Sequence, residues 1–324
     1  MSRPRTALLA VAVFAACTDV QPGTETVRVT VPRGATVGSV TDSLAARGVI
    51  LSPRRFRWYI KLAGYERSIQ AGVYDFPRPS PVADAVRALV AGQAAQNRLV
   101  LPEGLMLKEI AEFVESQLHI PAESVLVAAH DTALARQVGA REPTLEGYLY
   151  PNTYHVRIGT TAREIVRQMV GEFEARWRPE WEQRLDTLGL TRDELVTLAS
   201  IIEGEAHHEA DRFYVSSVYH NRLRRGMRLQ ADPTVIYALG RRRRLFLRDY
   251  ETPSRYNTYL IDGLPPHAVG QPSEASLEAA LYPRVSDFLY FVAGPGGEHI
   301  FSRTYREHQA AIRRVRQGGS PGGR

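Results

Sequence analysis

The residues with the clearest potential for chemistry lie in one stretch, ASIIEGEAHHEADR, residues 199–212. It combines carboxyl groups, which can transfer protons, with two adjacent histidines, which can bind metal ions. Metal-binding histidines on one helix usually lie four residues apart, but His207 and His208 are neighbours and would point about 100° apart. We therefore predict no metal site and no cofactor, and proton transfer by a carboxyl group is the leading interpretation.

One of these carboxyl groups falls on the apolar side of a predicted helix. Thr191 and Glu194 match a capping box that would start this helix. At about 100° per residue, its apolar side chains share one arc: Leu195, Leu198, Ala199, Ile202 and Ala206. With Leu195 at 0°, Ile201 at about 240° extends the edge of this side. Glu205 falls at about 280°, between Ile201 and Leu198, whereas Glu203 falls outside this side at about 80° and is expected to be solvated. A carboxyl group on an apolar face loses hydration, which raises its pKa and suits a general acid.

Two alternatives to a catalytic Glu205 stay open. Its carboxylate could instead form an ion pair with an arginine, for which Arg212 and Arg222 are the candidates. Glu209 would also point inward if the helix continued unbroken, but His207-His208-Glu209 is typical of a break or bend. Glu205 therefore ranks above Glu209 as the acid.

The N-terminus, MSRPRTALLAVAVFAACTDV, has the layout of a secretory signal. Its apolar run from Ala7 to Cys17 is shorter than the ~20 residues of a membrane span. Phe14-Ala15-Ala16-Cys17 resembles the box before the lipidated cysteine of bacterial lipoproteins, although Phe14 replaces the usual aliphatic residue. Cys17 is thus a lipidation candidate, with a plain cleaved signal as the alternative. We expect a protein of the cell envelope, on the periplasmic side, attached to a membrane through its N-terminus or free.

Composition and charge narrow the class of partner. The chain has 324 residues, of which 44% are hydrophobic and 23% charged, as in a soluble protein of about two domains. The net charge of +6 suits an anionic partner. The run Arg241-Arg242-Arg243-Arg244 could indicate nucleic-acid binding, but four arginines between Gly240 and an apolar Leu245 are more typical of a solvated loop. We predict an acidic polymer of the envelope as partner, and no nucleic acid.

The pattern of strands and helices predicts an α+β fold. VTVPRGATVGSVTDSL, residues 29–44, and LVLPEGLMLKEIAEFV, residues 99–114, repeat a strand, a Pro-x-Gly turn and a helix. The layout of the first copy is that of a small β-α-α-β module of the LysM type, although a shared turn without shared function explains the repeat equally well. The predicted segments are a signal or lipidation segment (1–17), a linker (18–27), a LysM-like N-terminal domain (28–97), a larger, mainly helical catalytic domain with short strands (98–316) and a disordered tail (317–324).

Several motifs, in this order, resemble the YceG-like family, the endolytic peptidoglycan (murein) transglycosylases. They are SIIEGEA, VYHNRLRRGMRLQADPTVIYALG, SRYNTYLIDGLPPHAVGQPSEASLEAAL and DFLYFVAGPGGEHIFSRTYREH. The resemblance runs from about residue 28 to residue 312 and includes VPRG, AGVYDF, LPEG and EGYLYPNTY. In that family the catalytic acid is the second glutamate of Ser-Ile-x-Glu-x-Glu, which is Glu205 here.

The resemblance implies a reaction on peptidoglycan glycan strands. Glu205 would protonate the oxygen of the β-1,4 bond between N-acetylmuramic acid and N-acetylglucosamine. The muramoyl 6-hydroxyl, rather than water, would then close a 1,6-anhydro ring, and the cut would end the elongation of a nascent strand. A non-catalytic glycan-binding scaffold and a hydrolytic muramidase are the alternatives. Cell-wall synthases are further candidate partners.

The same resemblance suggests residues that hold the substrate. These are Gln230 and Asp232 in RLQADPT, Asn257, Thr258 and Tyr259 in YNTY, and Glu146 in EGYLYPNTY. Tyr256 or Tyr259 could stack on a sugar ring, although Asn and Asp in such turns can equally serve backbone groups. The chain departs from the family at Asn152, where the pattern usually has Asp, and in its N-terminus, because the family is typically held by one transmembrane helix.

Overall fold

A computed structural model of the chain describes residues 20–92, 95–206 and 208–318. The chain forms two compact units, one of residues up to 98 together with 155–160, the other of residues 99–154 together with residue 161 onward. Cys17 and its predicted lipidation lie outside the described residues, as does His207. Within the described part of the chain, no helix has both the length and the apolar character needed to cross a membrane.

The first unit is built on one antiparallel pair of strands. Strand β1 (Glu25–Val31) pairs with β2 (Gly72–Arg78), and helices α1 (Val37–Ala46) and α2 (Pro53–Ala63) lie between them in sequence. Helix α3 (Val82–Ala91) follows β2. The element order β-α-α-β is the predicted one, and the LysM likeness itself stays a prediction.

Local sequence signals start both helices between the strands. Thr36 precedes α1, and its hydroxyl accepts a hydrogen bond from the backbone N–H of Ser39 at 3.1 Å, which is the expected N-cap geometry. Ser52 caps α2 in the same way, with Pro53 in the first turn. The helices then bury Leu44, Phe56 and other apolar side chains against the strands.

The second unit is mainly helical, and the combination of helices with short strand pairs in the chain confirms the α+β prediction. Strands β3 (Gln96–Val100) and β4 (Thr153–Arg157) pair with each other, and each of them contains residues of both units. The helices of this unit are α4 (Leu107–Leu118), α5 (Ala122–Ala129), α6 (Thr132–Gln137), α7 (Ala162–Arg176), α8 (Pro179–Leu188), α9 (Arg192–Glu205), α10 (Glu209–Arg224), α11 (Asp232–Leu239), α12 (Glu274–Leu281) and α13 (Tyr305–Gly318), with a 3-10 turn at Leu247–Glu251. A hairpin of β5 (Tyr290–Ala293) and β6 (His299–Ser302) precedes α13, as the sequence predicts.

Helix α9 is the centre of the second unit. Its capping box is confirmed, because Thr191 Oγ1 accepts from the N–H of Glu194 and Glu194 accepts from the N–H of Thr191. Every residue from Leu195 to Ile202 is buried, so protein surrounds the helix on all sides. Helix α9 ends at Glu205 and α10 begins at Glu209, which places a break where the sequence predicts one.

The Pro-x-Gly turn found twice in the sequence has the same conformation in both copies. Gly34 has a φ of 77° and Gly104 a φ of 72°, a region that glycine adopts without steric cost. The first turn leads into α1 and the second into α4. The N–H of Gly104 donates to the carbonyl of Gln271 at 2.8 Å, so the second copy is tied to the segment that precedes α12.

Candidate active site

Glu205 is the last residue of α9, where the chain leaves the helix and the side chain is only partly exposed. Its Oε1 accepts a hydrogen bond from the hydroxyl of Tyr219, on α10, at 3.1 Å. The same oxygen accepts from the backbone N–H of Asp232, the first residue of α11, at 3.1 Å. Three helices therefore position this one carboxyl group.

These surroundings favour the protonated form of Glu205. Burial, followed by the negative charge of Asp232, raises the pKa of Glu205 from 4.5 to about 7. The bonds from Tyr219 and from the backbone of Asp232 oppose this rise, and the more distant charge of Arg222 opposes it least. Near neutral pH the carboxyl group can both give and take a proton, which is what a general acid–base catalyst requires.

An ion pair with arginine, the alternative open from the sequence, is not what the structure shows. Among the described residues, no ion pair involves Glu205. The guanidinium of Arg222 instead donates to the backbone carbonyls of Leu289 at 2.7 Å and Leu229 at 2.8 Å. Arg212 pairs with Glu203 at 2.9 Å.

The expectation that Glu203 is solvated is wrong. Its side chain is only 9% exposed and lies against Arg212, which is 11% exposed. It also accepts a hydrogen bond from the backbone N–H of Ser273 at 3.0 Å. Angular position along a helix indicates solvation only where one side of the helix faces water, whereas α9 is enclosed by protein. Glu203 is a paired structural carboxylate.

Gly204, between the two glutamates, lets α11 approach the end of α9. A Cβ atom at this position would lie 2.5 Å from Cγ and 2.7 Å from Cβ of Pro233, closer than non-bonded carbons pack. Pro233 follows Asp232 in the first turn of α11. The absence of a side chain at Gly204 therefore brings the N–H of Asp232 within reach of Glu205.

The carboxylate of Asp232 is held by two tyrosines. The hydroxyl of Tyr259 donates to its Oδ1 at 2.7 Å, and that of Tyr250 donates to its Oδ2 at 3.3 Å. The rings of the two tyrosines contact each other, with centroids 4.6 Å apart. Asp232 thus presents a fixed negative charge beside Glu205.

Gln230 lies beside Glu205 in the wall of the site and has an uncommon backbone conformation. Its φ of 47° lies in the left-handed region, which costs about 1 kcal/mol or more for a residue other than glycine. The carbonyl of Thr258 accepts from the N–H of Gln230 at 3.1 Å, and the Thr258 hydroxyl accepts from the N–H of Ala231 at 3.0 Å. This conformation leaves the side chain of Gln230 exposed.

Asn257 and Thr258 lie behind the wall rather than in it, contrary to the expected contact with sugar. Both are 0% exposed. The Asn257 amide donates to the carbonyls of Tyr250 at 3.0 Å and Thr252 at 2.9 Å, and it accepts from the N–H of Tyr259 at 3.0 Å. Neither side chain can reach a ligand in this arrangement. Both instead hold in place the wall residues Gln230, Asp232 and the two tyrosines.

A cavity of about 370 Å³ opens in front of Glu205. Its lining includes Glu205, Arg222, Leu229, Gln230, Asp232, Tyr259, Tyr290, Phe291, Val292, Ala293, His299, Tyr305 and His308. The β5–β6 hairpin and α13 supply the far wall. His299 is oriented there by Asp211, whose Oδ2 lies 3.1 Å from the ring Nδ1.

Glu146 lines a different cavity, of about 510 Å³, together with Tyr237 and His267. Its carboxyl group accepts from the N–H of Leu107 at 3.0 Å and from the amide of Gln271 at 2.7 Å. Burial raises the pKa of Glu146 to about 8. The structure therefore does not bring Glu146 into the cavity of Glu205.

Two further residues singled out from the sequence also lie outside that cavity. The hydroxyl of Tyr256 contacts Nε2 of His267 at 2.6 Å, which leaves Tyr259 as the stacking candidate in the wall. The amide of Asn152 donates to Glu172 at 3.1 Å and accepts from the N–H of Thr153 at 2.8 Å. Within the part of the chain that the structure describes, no cluster of three metal-ligating side chains occurs.

Sequence reasoning missed several residues of the site. Tyr219, Tyr250 and His299 come from other elements, and no spacing in the sequence connects them with Glu205. A partial signal existed in α10: at about 100° per residue, Asp211, Tyr219 and Arg222 fall within roughly 80° of one another. That polar side of α10 marks the face toward the site.

A carboxyl group with a raised pKa beside an open cavity is the arrangement that general acid–base enzymes use. A model of the YceG-like family matches residues 29–314. A protein of Bacillus subtilis named endolytic murein transglycosylase is 31% identical over 303 residues, which cover 88% of this chain and 84% of that protein. A protein of the same name from Streptococcus pneumoniae is 29% identical, and the match covers 88% of this chain but only 58% of that protein.

A solved structure agrees with these sequence matches. The crystal structure of a YceG-like protein from Listeria monocytogenes has a TM-score of 0.61 and 32% sequence identity, and it covers 89% of this chain and 99% of that one. The chain belongs to the YceG-like family. The resemblance inferred from the motifs is thereby confirmed.

Proposed function

We propose that this chain is a lytic transglycosylase that cleaves peptidoglycan glycan strands, with Glu205 as its catalytic acid and base. The names of the Bacillus and Streptococcus relatives, endolytic murein transglycosylase, support the activity. The observation that carries the residue assignment is the pKa of Glu205, raised to about 7 at the edge of an open cavity. Such a group is protonated often enough at neutral pH to donate, and it accepts a proton readily afterwards.

The reaction begins when Glu205 protonates the bridging oxygen between the muramoyl C1 and the next sugar. The C1–O bond breaks, and positive charge develops at C1 and the ring oxygen. The Glu205 carboxylate then takes the proton of the muramoyl 6-hydroxyl, and the oxygen of that hydroxyl bonds to C1. The products are a 1,6-anhydromuramoyl end and a free 4-hydroxyl, and Glu205 is protonated again.

Asp232 contributes to this reaction by its charge. It lies in the same cavity, and it helps to raise the pKa of Glu205. A carboxylate fixed by Tyr250 and Tyr259 also stabilises the cationic character at C1 without having to reorganise. Gln230, with its exposed side chain, and Tyr259, with its ring in the wall, are the proposed contacts to sugar.

The position of Asp232 also supports a second candidate, a hydrolytic muramidase. Two carboxyl groups beside one sugar can activate water as well as protonate a leaving group. The two reactions give different products, because an anhydro end weighs one water less than a reducing end. Mass analysis of digested peptidoglycan therefore separates them.

The decisive experiment compares Glu205→Gln with a matched change at Glu209, an exposed glutamate four residues away. We expect Glu205→Gln to lower the rate of cleavage by about 10²–10⁴-fold and Glu209→Gln to leave it within about twofold. If Glu205→Gln still cleaves peptidoglycan at the parent rate, Glu205 is not the catalytic acid. Absence of cleavage by the parent protein would instead favour a glycan-binding scaffold.

We further propose that the enzyme works on the outer side of the cytoplasmic membrane, in the cell envelope. The signal-like N-terminus and the wall polymer named for its relatives both support this location. Termination of nascent strands and direct contact with cell-wall synthases belong to the same proposal. Retention of the tagged protein with the membrane fraction, and loss of this retention in Cys17→Ser, would test anchoring through lipid on Cys17.

A further inference from the structure

The outer side of α2, in the first unit, exposes an unusual set of large side chains. Leu51, Trp58 and Leu62 are 67%, 67% and 63% exposed, and Tyr65 is 38% exposed. Single exposed apolar residues are common on proteins. Here four of them lie within or directly beside one helix, and exposed apolar side chains grouped in this way usually mark a surface that binds something.

The geometry of α2 puts this patch opposite the core. With Phe56, which is fully buried, at 0°, the buried Ile60 falls at about 40°. Trp58 and Leu62 fall at about 200° and 240°, on the far side of the helix. Leu51 directly precedes the N-cap of α2, and Tyr65 follows its C-cap. The core of the unit is complete without these four residues, so folding does not account for them.

Basic side chains border the patch. Arg54, Lys61 and Arg55 fall at about 160°, 140° and 260°, on either side of Trp58 and Leu62, and all three are exposed. Residues 51–67 contain five basic residues and one acidic residue, a net charge of +4. An apolar stripe between rows of cations complements an anionic lipid surface, in which leucine inserts, tryptophan lies at the interface and cations meet the headgroups.

The patch begins at the edge of the unit where the N-terminal segment joins it. The N–H of Gly23 donates to the carbonyl of Pro79 at 2.8 Å, and the next residue, Ser80, donates to the carbonyl of Val49 at 2.8 Å. Val49 is two residues from Leu51. Only five residues separate Cys17, the predicted point of membrane attachment, from Gly23, so the two residues are at most about 22 Å apart.

We propose that Leu51, Trp58, Leu62 and Tyr65, with Arg54, Arg55 and Lys61, form a membrane-docking face that binds the surface of an anionic lipid bilayer. This face acts together with the N-terminal attachment, because two weak membrane signals give stable binding where one gives only reversible binding. It is independent of the chemistry at Glu205. The alternative is that this face binds a glycan strand of peptidoglycan, and binding measurements with both partners distinguish the two.

The test uses residues 18–324, which keep both compact units and omit only the predicted signal. Co-sedimentation is measured with vesicles of phosphatidylcholine alone, with vesicles containing an equal share of phosphatidylglycerol, and with purified peptidoglycan. We expect binding to the anionic vesicles that weakens in 1 M salt, where charges are screened beyond about 3 Å. Trp58→Ser/Leu62→Ser is expected to weaken this binding by about tenfold or more.

A matched control replaces two exposed apolar residues of the second unit, Val127 and Val285, which are 66% and 99% exposed. Val127→Ser/Val285→Ser is expected to bind like the parent. If Trp58→Ser/Leu62→Ser fails to fold, Arg54→Gln/Lys61→Gln serves instead, with an expected loss of about fivefold or more on anionic vesicles. Absence of parent binding to anionic vesicles, or equal binding by parent and face variants, would overturn the proposal. Loss of binding to peptidoglycan alone would assign the face to glycan.

Discussion

Replacement of Glu205 by glutamine is expected to remove activity and, above neutral pH, to stabilise the protein. The pKa of this carboxyl group is 4.5 in an unfolded chain and about 7 in the folded protein. The folded state therefore binds the proton more tightly, and stability falls as pH rises from about 4.5 through about 7. At about 1.4 kcal/mol per pKa unit, the ionised group costs the folded state about 3 kcal/mol at pH 8.

Glutamine carries no charge, so the variant avoids this cost. Its amide oxygen can still accept from Tyr219 and from the N–H of Asp232, but bonds to a neutral amide are weaker than bonds to a carboxylate, which offsets part of the gain. We expect a net gain of about 1–3 kcal/mol at pH 8 and none at pH 4, where the parent carboxyl group is protonated in both states. For a unit of this size, that gain raises the melting temperature by roughly 2–12 °C.

Thermal unfolding followed by circular dichroism at pH 4, 6 and 8 measures this difference, with Glu203→Gln as the matched comparison. Glu203 pairs with Arg212, and both side chains are nearly buried. Its replacement leaves the arginine charge uncompensated and should cost about 3 kcal/mol at pH 8. A Glu205→Gln variant less stable than the parent at pH 8, or a difference between them that does not change with pH, would contradict a raised pKa at Glu205.

Three other experiments test the surroundings of Glu205. Tyr219→Phe removes a bond that lowers the pKa of Glu205, and Asp232→Asn removes a charge that raises it. The alkaline limb of the activity–pH profile should therefore move up in the first variant and down in the second, and a shift in the opposite direction in either variant would contradict the role assigned to that residue. Gly204→Ala places a methyl group 2.5 Å from Pro233. It should lower the free energy of unfolding by about 1–3 kcal/mol and remove most of the activity. An unchanged melting temperature would contradict the close approach. Gln230→Gly removes the strain of the left-handed backbone and should raise the free energy of unfolding by about 1 kcal/mol. Because it also removes the side chain, it should raise KM for glycan. An unchanged KM would show that Gln230 does not contact substrate.

Local features of the site could be predicted from the sequence because their causes are local. The start of α9 follows from Thr191 and Glu194, whose side chains bond to each other's backbone within one turn. The break after Glu205 follows from the polar His207-His208-Glu209 segment. The two Pro-x-Gly turns share a conformation because only glycine takes a positive φ there without cost.

Contacts between distant segments could not be predicted in this way. Asn257 and Thr258 look like sugar ligands in the sequence because their side chains are polar. In the structure they are buried, and their polar atoms support the turns that hold Tyr259 and Gln230. Glu146 likewise caps the first turn of α4, through the N–H of Leu107, in a separate cavity. Residue type alone does not distinguish a group that binds substrate from one that binds its own backbone.

The angular positions along α9 predict that Glu203 lies in water and that Glu205 lies on the apolar side, and the expectation for Glu203 is wrong. The Glu203 side chain is only 9% exposed, whereas Glu205 is partly exposed and lines an open cavity. What separates them is the charge that each one meets. Glu203 lies against the cation of Arg212 at 2.9 Å. Glu205 meets a neutral hydroxyl, a backbone N–H and the anion of Asp232. Two residues apart on one helix, Glu203 therefore meets a cation, whereas Glu205 meets only hydrogen-bond donors and a like charge. The proposed role of Glu205 as proton donor depends on this difference.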